Sequence, residues 1–97
     1  MKKPYTVFIT GASEGIGASI AKTLCSNGLN VFAFARREAN LHDLKKSCSN
    51  MSGNLDFFAG DVTSNDDLQK ASNLCLTGFG KLDILIPNAG IGYFNPL

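Results

Sequence analysis

The sequence predicts an α/β fold built on a doubly wound parallel sheet, and three observations predict it. Strand-like apolar runs alternate with helix-period segments along the chain, in the order βαβαβαβ. The first run ends in a glycine-rich turn, Thr10-Gly11-Ala12-Ser13-Glu14-Gly15-Ile16-Gly17, that opens a helix. The second run, Asn30 to Ala35, is nearly all apolar, as a strand buried on both faces requires.

Each element has its own signal. Tyr5 to Thr10 is strand one. Ile16 to Asn27 is a helix whose inner face carries Ile16, Ile20 and Leu24, with Ala21 and Cys25 beside them. Gly28 is placed to stop it. Glu38 to Ser49 is the second helix, with Leu41, Leu44 and Cys48 inward, and residues 50–54 form a loop. Leu55 to Ala59 is strand three. Ser64 is the expected N-cap of a third helix, with Asp66 and Asp67 in its first turn. Leu68, Ala71 and Cys75 form its inner face, Leu74 lies adjacent, and Gly78-Phe79-Gly80 breaks it. Leu82 to Pro87 is strand four. Right-handed crossovers place helices on both faces of the sheet.

Composition narrows the function. A chain of 97 residues is one domain at most, and a 44% hydrophobic content suffices for a core. The net charge is +1 and no basic block occurs, which argues against a nucleic-acid partner. No apolar run is long enough to span a bilayer. Pro4 follows Met1-Lys2-Lys3 at once, which is not the pattern of a secretory leader. Cys25, Cys48 and Cys75 are widely spaced and His42 is the only histidine. That pattern supports neither a metal site nor a disulfide framework, and reads as buried or half-buried reduced thiols in a cytoplasmic protein.

The glycine-rich turn carries the chemistry. A strand, such a turn and a helix N-terminus together make a cradle for a dinucleotide pyrophosphate. Gly11 serves a tight turn where the strand ends. Gly15 lets backbone approach a phosphate, and Gly17 lets the helix pack closely on the strand. Free N–H groups at Gly15, Ile16 and Gly17 then point at the anion beside Glu14, and Ser13 offers a hydroxyl. The spacing is G-x-x-x-G-x-G rather than G-x-G-x-x-G. In a dinucleotide-binding sheet the strand order is 3-2-1-4, with the phosphate site at the switch point.

Three further positions have chemical content. The end of strand two discriminates between a ribose 2′-hydroxyl and a 2′-phosphate, and Arg36-Arg37 stand there. Guanidinium groups suit a phosphate, whereas the plain alternative makes both arginines solvated residues at a helix start. Asp61 and Val62 follow Gly60 at the tip of strand three, where the carboxylate either meets an adenine or forms an Asx-type turn. Asn88-Ala89-Gly90 closes strand four. Small residues there let backbone approach the cofactor ribose, and the Asn amide can tie strand ends together; the alternative is an ordinary turn.

Taken together, the glycine-rich turn, Arg36-Arg37, Asp61-Val62 and the run from Phe79 through Gly90 resemble the short-chain dehydrogenase/reductase family over nearly the whole chain. The family pattern Asn-Asn-Ala-Gly has Pro87 in its first position here, so strand pairing is expected to weaken at that end. The resemblance implies a Rossmann-like sheet, incomplete at four strands. It implies an oxidoreductase moving a hydride between a nicotinamide and a carbonyl or alcohol carbon, with NADP(H) preferred to NAD(H) by the arginine pair. It implies a catalytic Ser and a Tyr-x-x-x-Lys pair beyond strand four. Ile9 and Leu97 stand four residues after Tyr5 and Tyr93, so neither tyrosine supplies that pair. The expectation is the amino-terminal half of a reductase, truncated before its catalytic segment and inactive alone. Homo-oligomers are expected only for a full-length form. The competing readings are a non-catalytic nucleotide-binding module and another class such as a methyltransferase, against which the arginines weigh.

Overall fold

The computed structural model describes residues 3–88. Along the chain lie β1 (Thr6–Thr10), α1 (Gly15–Ser26), β2 (Asn30–Ala35), α2 (Glu38–Ser47), β3 (Asn54–Ala59), α3 (Asn65–Phe79) and β4 (Ile84–Pro87). All neighbouring strands are parallel and the order is β3-β2-β1-β4, as the sequence predicts.

Side chains alternate across a strand, so register decides which residues share a face. Val7 lies beside Val31 and Ile84, and Phe8 beside Phe32 and Leu85. The α1–α2 face is therefore paved with Ile9, Val31, Ala33 and Ala35. The α3 face is paved with Phe8, Phe32 and Phe34. The rings form a row, with Phe8 and Phe32 stacked at 5.4 Å and Phe34 and Phe58 at 6.2 Å. Both faces of β2 are covered, and all of its residues are buried.

The small alanines on one face select what packs there. In α1 the buried stripe is Gly17, Ala21 and Cys25, with Ile20 and Leu24 at its flanks. Ile16 is not on the inner face as the sequence suggested; it is 69% exposed in the first turn. In α2, Leu41 and Leu44 point inward, followed by Cys48 just past the helix end. All three cysteines are buried and free. Burial pushes the Cys25 and Cys75 thiols up to about 11, with the neighbouring Cys48 adding to the effect on Cys25.

Ser64 caps α3, accepting from the Asp67 N–H at 3.1 Å. Gly78 does not break this helix. It continues to Phe79 and ends at Gly80. Leu74, expected beside the inner face, is largely exposed.

Polar groups at the amino-terminal ends of the strands pair with one another. The Asn30 amide donates to Thr6 Oγ1 at 3.4 Å, and the Asn54 amide donates to Asn30 Oδ1 at 3.2 Å. Asp83 accepts from the Thr6 N–H at 2.8 Å and lies 3.1 Å from Lys81 Nζ. The Thr6 N–H, then Lys81, hold the Asp83 carboxyl below the usual carboxylate range against the opposing effect of burial. At the other end of β4, Pro87 keeps its register opposite Thr10, so the expected weakening does not take it out of the strand. Proline is tolerated on an edge strand, and β4 is the edge among the described residues.

Candidate functional site

The end of β2 and the turn after β4 both meet the glycine-rich loop that follows β1, and the end of β3 meets the end of β2. Gly11 turns the chain off β1 at φ +69°, and its N–H donates to the Phe34 carbonyl at 2.8 Å. Gly15 has φ +62°, and a Cβ built there would meet nothing within 4 Å. The space beside the first turn of α1 is therefore open at Gly15. At Gly17 the situation is reversed. A Cβ would stand 2.1 Å from the Gly11 carbonyl oxygen and 2.6 Å from Asn88 Nδ2. Asn88 Nδ2 donates to that same carbonyl at 3.0 Å, so its amide ties the turn after β4 to the loop after β1.

The start of α1 is open to an anion. Glu14 occupies the cap position in extended conformation, but its side chain makes no cap hydrogen bond. No acidic residue stands in the first turn. The first N–H groups, at Gly15, Ile16 and Gly17, have no acceptor within the helix. The start of α3 is the opposite case, capped by Ser64 and followed by Asp66 and Asp67. The unpaired N–H groups at α1 fit a pyrophosphate, with the Glu14 carboxylate beside them as the one opposing charge, whereas α3 has its cap filled by Ser64 and two carboxylates in its first turn. Ser13 is half-buried at a groove between α1 and α2 that Lys22, Asn40 and Asp43 also line.

Both arginines at the end of β2 are exposed and face carboxylates. Arg36 Nη2 lies 3.4 Å from Asp61 Oδ2, and Arg37 Nη1 lies 3.9 Å from Glu14 Oε1. Asp61 also makes the turn that the sequence allowed. Its Oδ1 accepts from the Thr63 N–H at 2.9 Å and from the Thr63 hydroxyl at 2.8 Å. Those two hydrogen bonds, with Arg36 adding to them, hold the Asp61 carboxyl below its ordinary range. Val62 packs half-buried against the phenylalanine cluster on the α3 face. Ala89 and Gly90 lie outside the described residues.

Two members of this cluster escape a reading of the sequence. Asn40 donates to Glu14 Oε1 at 3.3 Å, and nothing in the local pattern announces it. Thr63 anchors Asp61, and the Asp-x-Thr spacing is a signal that could have found it.

The chain matches the short chain dehydrogenase family over residues 5–97. It belongs to that family. It is 36% identical over 95 residues to the uncharacterized oxidoreductase Lmo0432 of Listeria monocytogenes, covering 98% of this chain and 38% of that protein. Among solved structures, it is similar to an actinorhodin polyketide ketoreductase variant with NADPH, at 32% identity and TM-score 0.83, over 89% of this chain and 33% of that one. It is equally similar to L-sorbose reductase from Gluconobacter frateurii complexed with NADPH and L-sorbose, at 30% identity and TM-score 0.83, over 89% and 33%. The chain thus spans about a third of the length of the family members it matches. Four parallel strands in the order observed, with their helices, are the family's Rossmann-like fold.

Proposed function

We propose that this chain is the NADP(H)-gripping portion of a short-chain dehydrogenase/reductase that moves a hydride between a nicotinamide and a carbonyl or alcohol carbon. One observation carries the reading. An uncapped helix start over open space and two guanidinium groups lie at the same end of the sheet. The first is suited to a diphosphate and the second to a ribose phosphate. The N–H groups of Gly15, Ile16 and Gly17 grip the pyrophosphate, and Ser13 adds a hydroxyl. Arg36 and Arg37 select the 2′-phosphate. Asp61 and Val62 border the adenine. Asn88 fixes the loop rather than the ligand, since its amide donates to Gly11. The cofactor supplies the hydride chemistry, and these residues bind and orient it. That two similar structures hold NADPH supports the phosphorylated form.

Proton transfer to the substrate is assigned elsewhere. No Tyr-x-x-x-Lys spacing occurs in the 97 residues, so this segment alone turns over nothing. Relatives carry further chain outside the matched third, and the substrate and the acid–base group belong with it. A cytoplasmic setting fits the three free thiols.

Amide NMR of the 97-residue chain, titrated with NADPH, NADH and S-adenosylmethionine, tests the reading. The expected shifts fall on residues 15–17 and 36–37, with NADPH bound most tightly. Shifts confined to other residues, or preference for S-adenosylmethionine, overturn it.

A further inference from the structure

The last inward residue of α1 and the residue that ends α2 are both cysteines. The two helices cover the same face of the sheet, where Cys25 completes the stripe begun by Gly17 and Ala21, and Cys48 follows Leu41 and Leu44. The chain then ties these helix ends together. The Gly53 N–H donates to the Cys25 carbonyl at 2.8 Å, and the Asn54 N–H donates to the Leu29 carbonyl at 3.2 Å. Ser52 Oγ donates to the Ser26 carbonyl at 3.2 Å, and the Met51 N–H donates to the Cys48 carbonyl at 3.0 Å. The turn after Cys48 thus lies against the turn that begins at Cys25. Beneath it the two thiols are buried neighbours, near enough for a side-chain hydrogen bond. Cys75 lies on the opposite face of the sheet, among the phenylalanines.

We infer that Cys25 and Cys48 are a redox-sensitive pair that closes into a disulfide, stapling α1 to α2, when it meets a small disulfide such as oxidised glutathione. The Cys48 thiolate attacks one sulfur of the oxidant, and the other sulfur leaves as a thiolate and takes up a proton. The Cys25 thiolate then attacks the Cys48 sulfur of the mixed disulfide and releases the second small thiol. Two protein thiols are oxidised, one small disulfide is reduced to two thiols, and the two protein protons end on them. Burial sets the rate. It pushes the Cys25 thiol up to about 11, so little thiolate is present at neutral pH. Cys48 is reached first, because it stands past the end of α2 beside exposed Ser49 and Asn50. Local opening of residues 49–53 admits the oxidant. The pair is therefore a slow sensor in a reducing compartment rather than a standing crosslink. The staple is also remote from the glycine-rich turn. It joins the far ends of helices of 12 and 10 residues whose beginnings stand beside Glu14 and Arg37, about 15–18 Å away. Its effect falls on stability and leaves that turn open.

The test keeps the 97-residue chain folded in native buffer with oxidised glutathione. Free thiols are then alkylated, linkages are mapped by peptide mass spectrometry, and thermal unfolding is followed before and after. The expected product carries a Cys25–Cys48 linkage, lighter by two hydrogens than the reduced pair, with Cys75 alkylated, and dithiothreitol reverses it. The closed loop runs from Cys25 to Cys48, 24 residues, so Tm is expected to rise by roughly 10–20 °C. Cys25→Ser is expected to stop at a mixed disulfide on Cys48, and a Tm rise of the same size in that variant overturns the staple. Glutathione stably retained on wild-type Cys48, or a linkage that includes Cys75, overturns the inference. So does a folded chain still fully reduced when the urea-unfolded chain has oxidised. A Cys25–Cys48 linkage that leaves Tm unchanged or lower also overturns it, because the helix ends then do not meet as the structure places them.

Discussion

Gly17→Ala puts one methyl group where the structure has no room for it. The new Cβ would stand 2.1 Å from the Gly11 carbonyl oxygen, 2.6 Å from Asn88 Nδ2 and 2.9 Å from the Gly11 carbonyl carbon. Relief requires a movement of more than about 1 Å, since carbon and oxygen in contact sit roughly 3.5 Å apart. Two of the three obstructing atoms are backbone, so no rotamer change clears them. Overpacking of this kind costs about 3 kcal/mol, the upper end of the usual range. Separating Asn88 from the Gly11 carbonyl costs about 1 kcal/mol more. Alanine's better helix propensity returns about 1 kcal/mol. The net expectation is a loss of about 3 kcal/mol, or a fall in Tm of about 12–24 °C for a domain of this size. Gly78→Ala is the matched control, because a Cβ there meets nothing within 4 Å and the residue lies inside α3. It should gain about 0.5–1 kcal/mol. Urea and thermal unfolding followed by far-ultraviolet circular dichroism measure both. A loss under about 1 kcal/mol for Gly17→Ala would refute the claim that α1 docks through bare backbone.

Two further outcomes follow from the described geometry. The Asp83 carboxyl is held below its ordinary range by the Thr6 N–H and Lys81, so its contribution is complete above the unfolded-state value near pH 4 and is lost as pH falls through the lower folded value. Asp61 is lowered too, so in urea midpoints taken from neutral pH downward Asp83→Asn should flatten the acid limb only in part; an acid limb identical to wild type sinks this account. Leu85 is 58% exposed on the edge strand, and Leu85→Lys should suppress self-association in sedimentation velocity with little change in unfolding midpoint. A wild-type chain that stays monomeric at every concentration would show that this edge is not adhesive.

The element order was legible because strands buried on both faces have to be apolar and the connections between them do not. The run Asn30 to Ala35 left no room for another reading. The sheet order followed from crossover handedness and the place of the glycine-rich turn. Helix faces were harder to read. In α1, Ile16, Ile20 and Leu24 repeat at the same four-residue spacing as Gly17, Ala21 and Cys25, so periodicity cannot choose between the stripes. Close approach to a face paved with Ala33 and Ala35 chooses the smaller set. Gly78 read as a breaker, but a helical glycine costs only about 1 kcal/mol, and Cys75 and Phe79 pack against the sheet on either side of it. In the site, the glycines and both arginines could be placed from their positions along the chain. Their partners could not, because Glu14 meets Arg37 across two different crossovers and the pairing exists only once those have folded.

The bond between Asn88 and the Gly11 carbonyl joins groups 77 positions apart. During synthesis the glycine-rich turn leaves the ribosome long before its last brace does. The earliest-made portion of the molecule therefore acquires its final shape among the latest, once the fourth strand has docked beside the first. A lesion along that return path reaches the glycine-rich turn without touching a single atom of it.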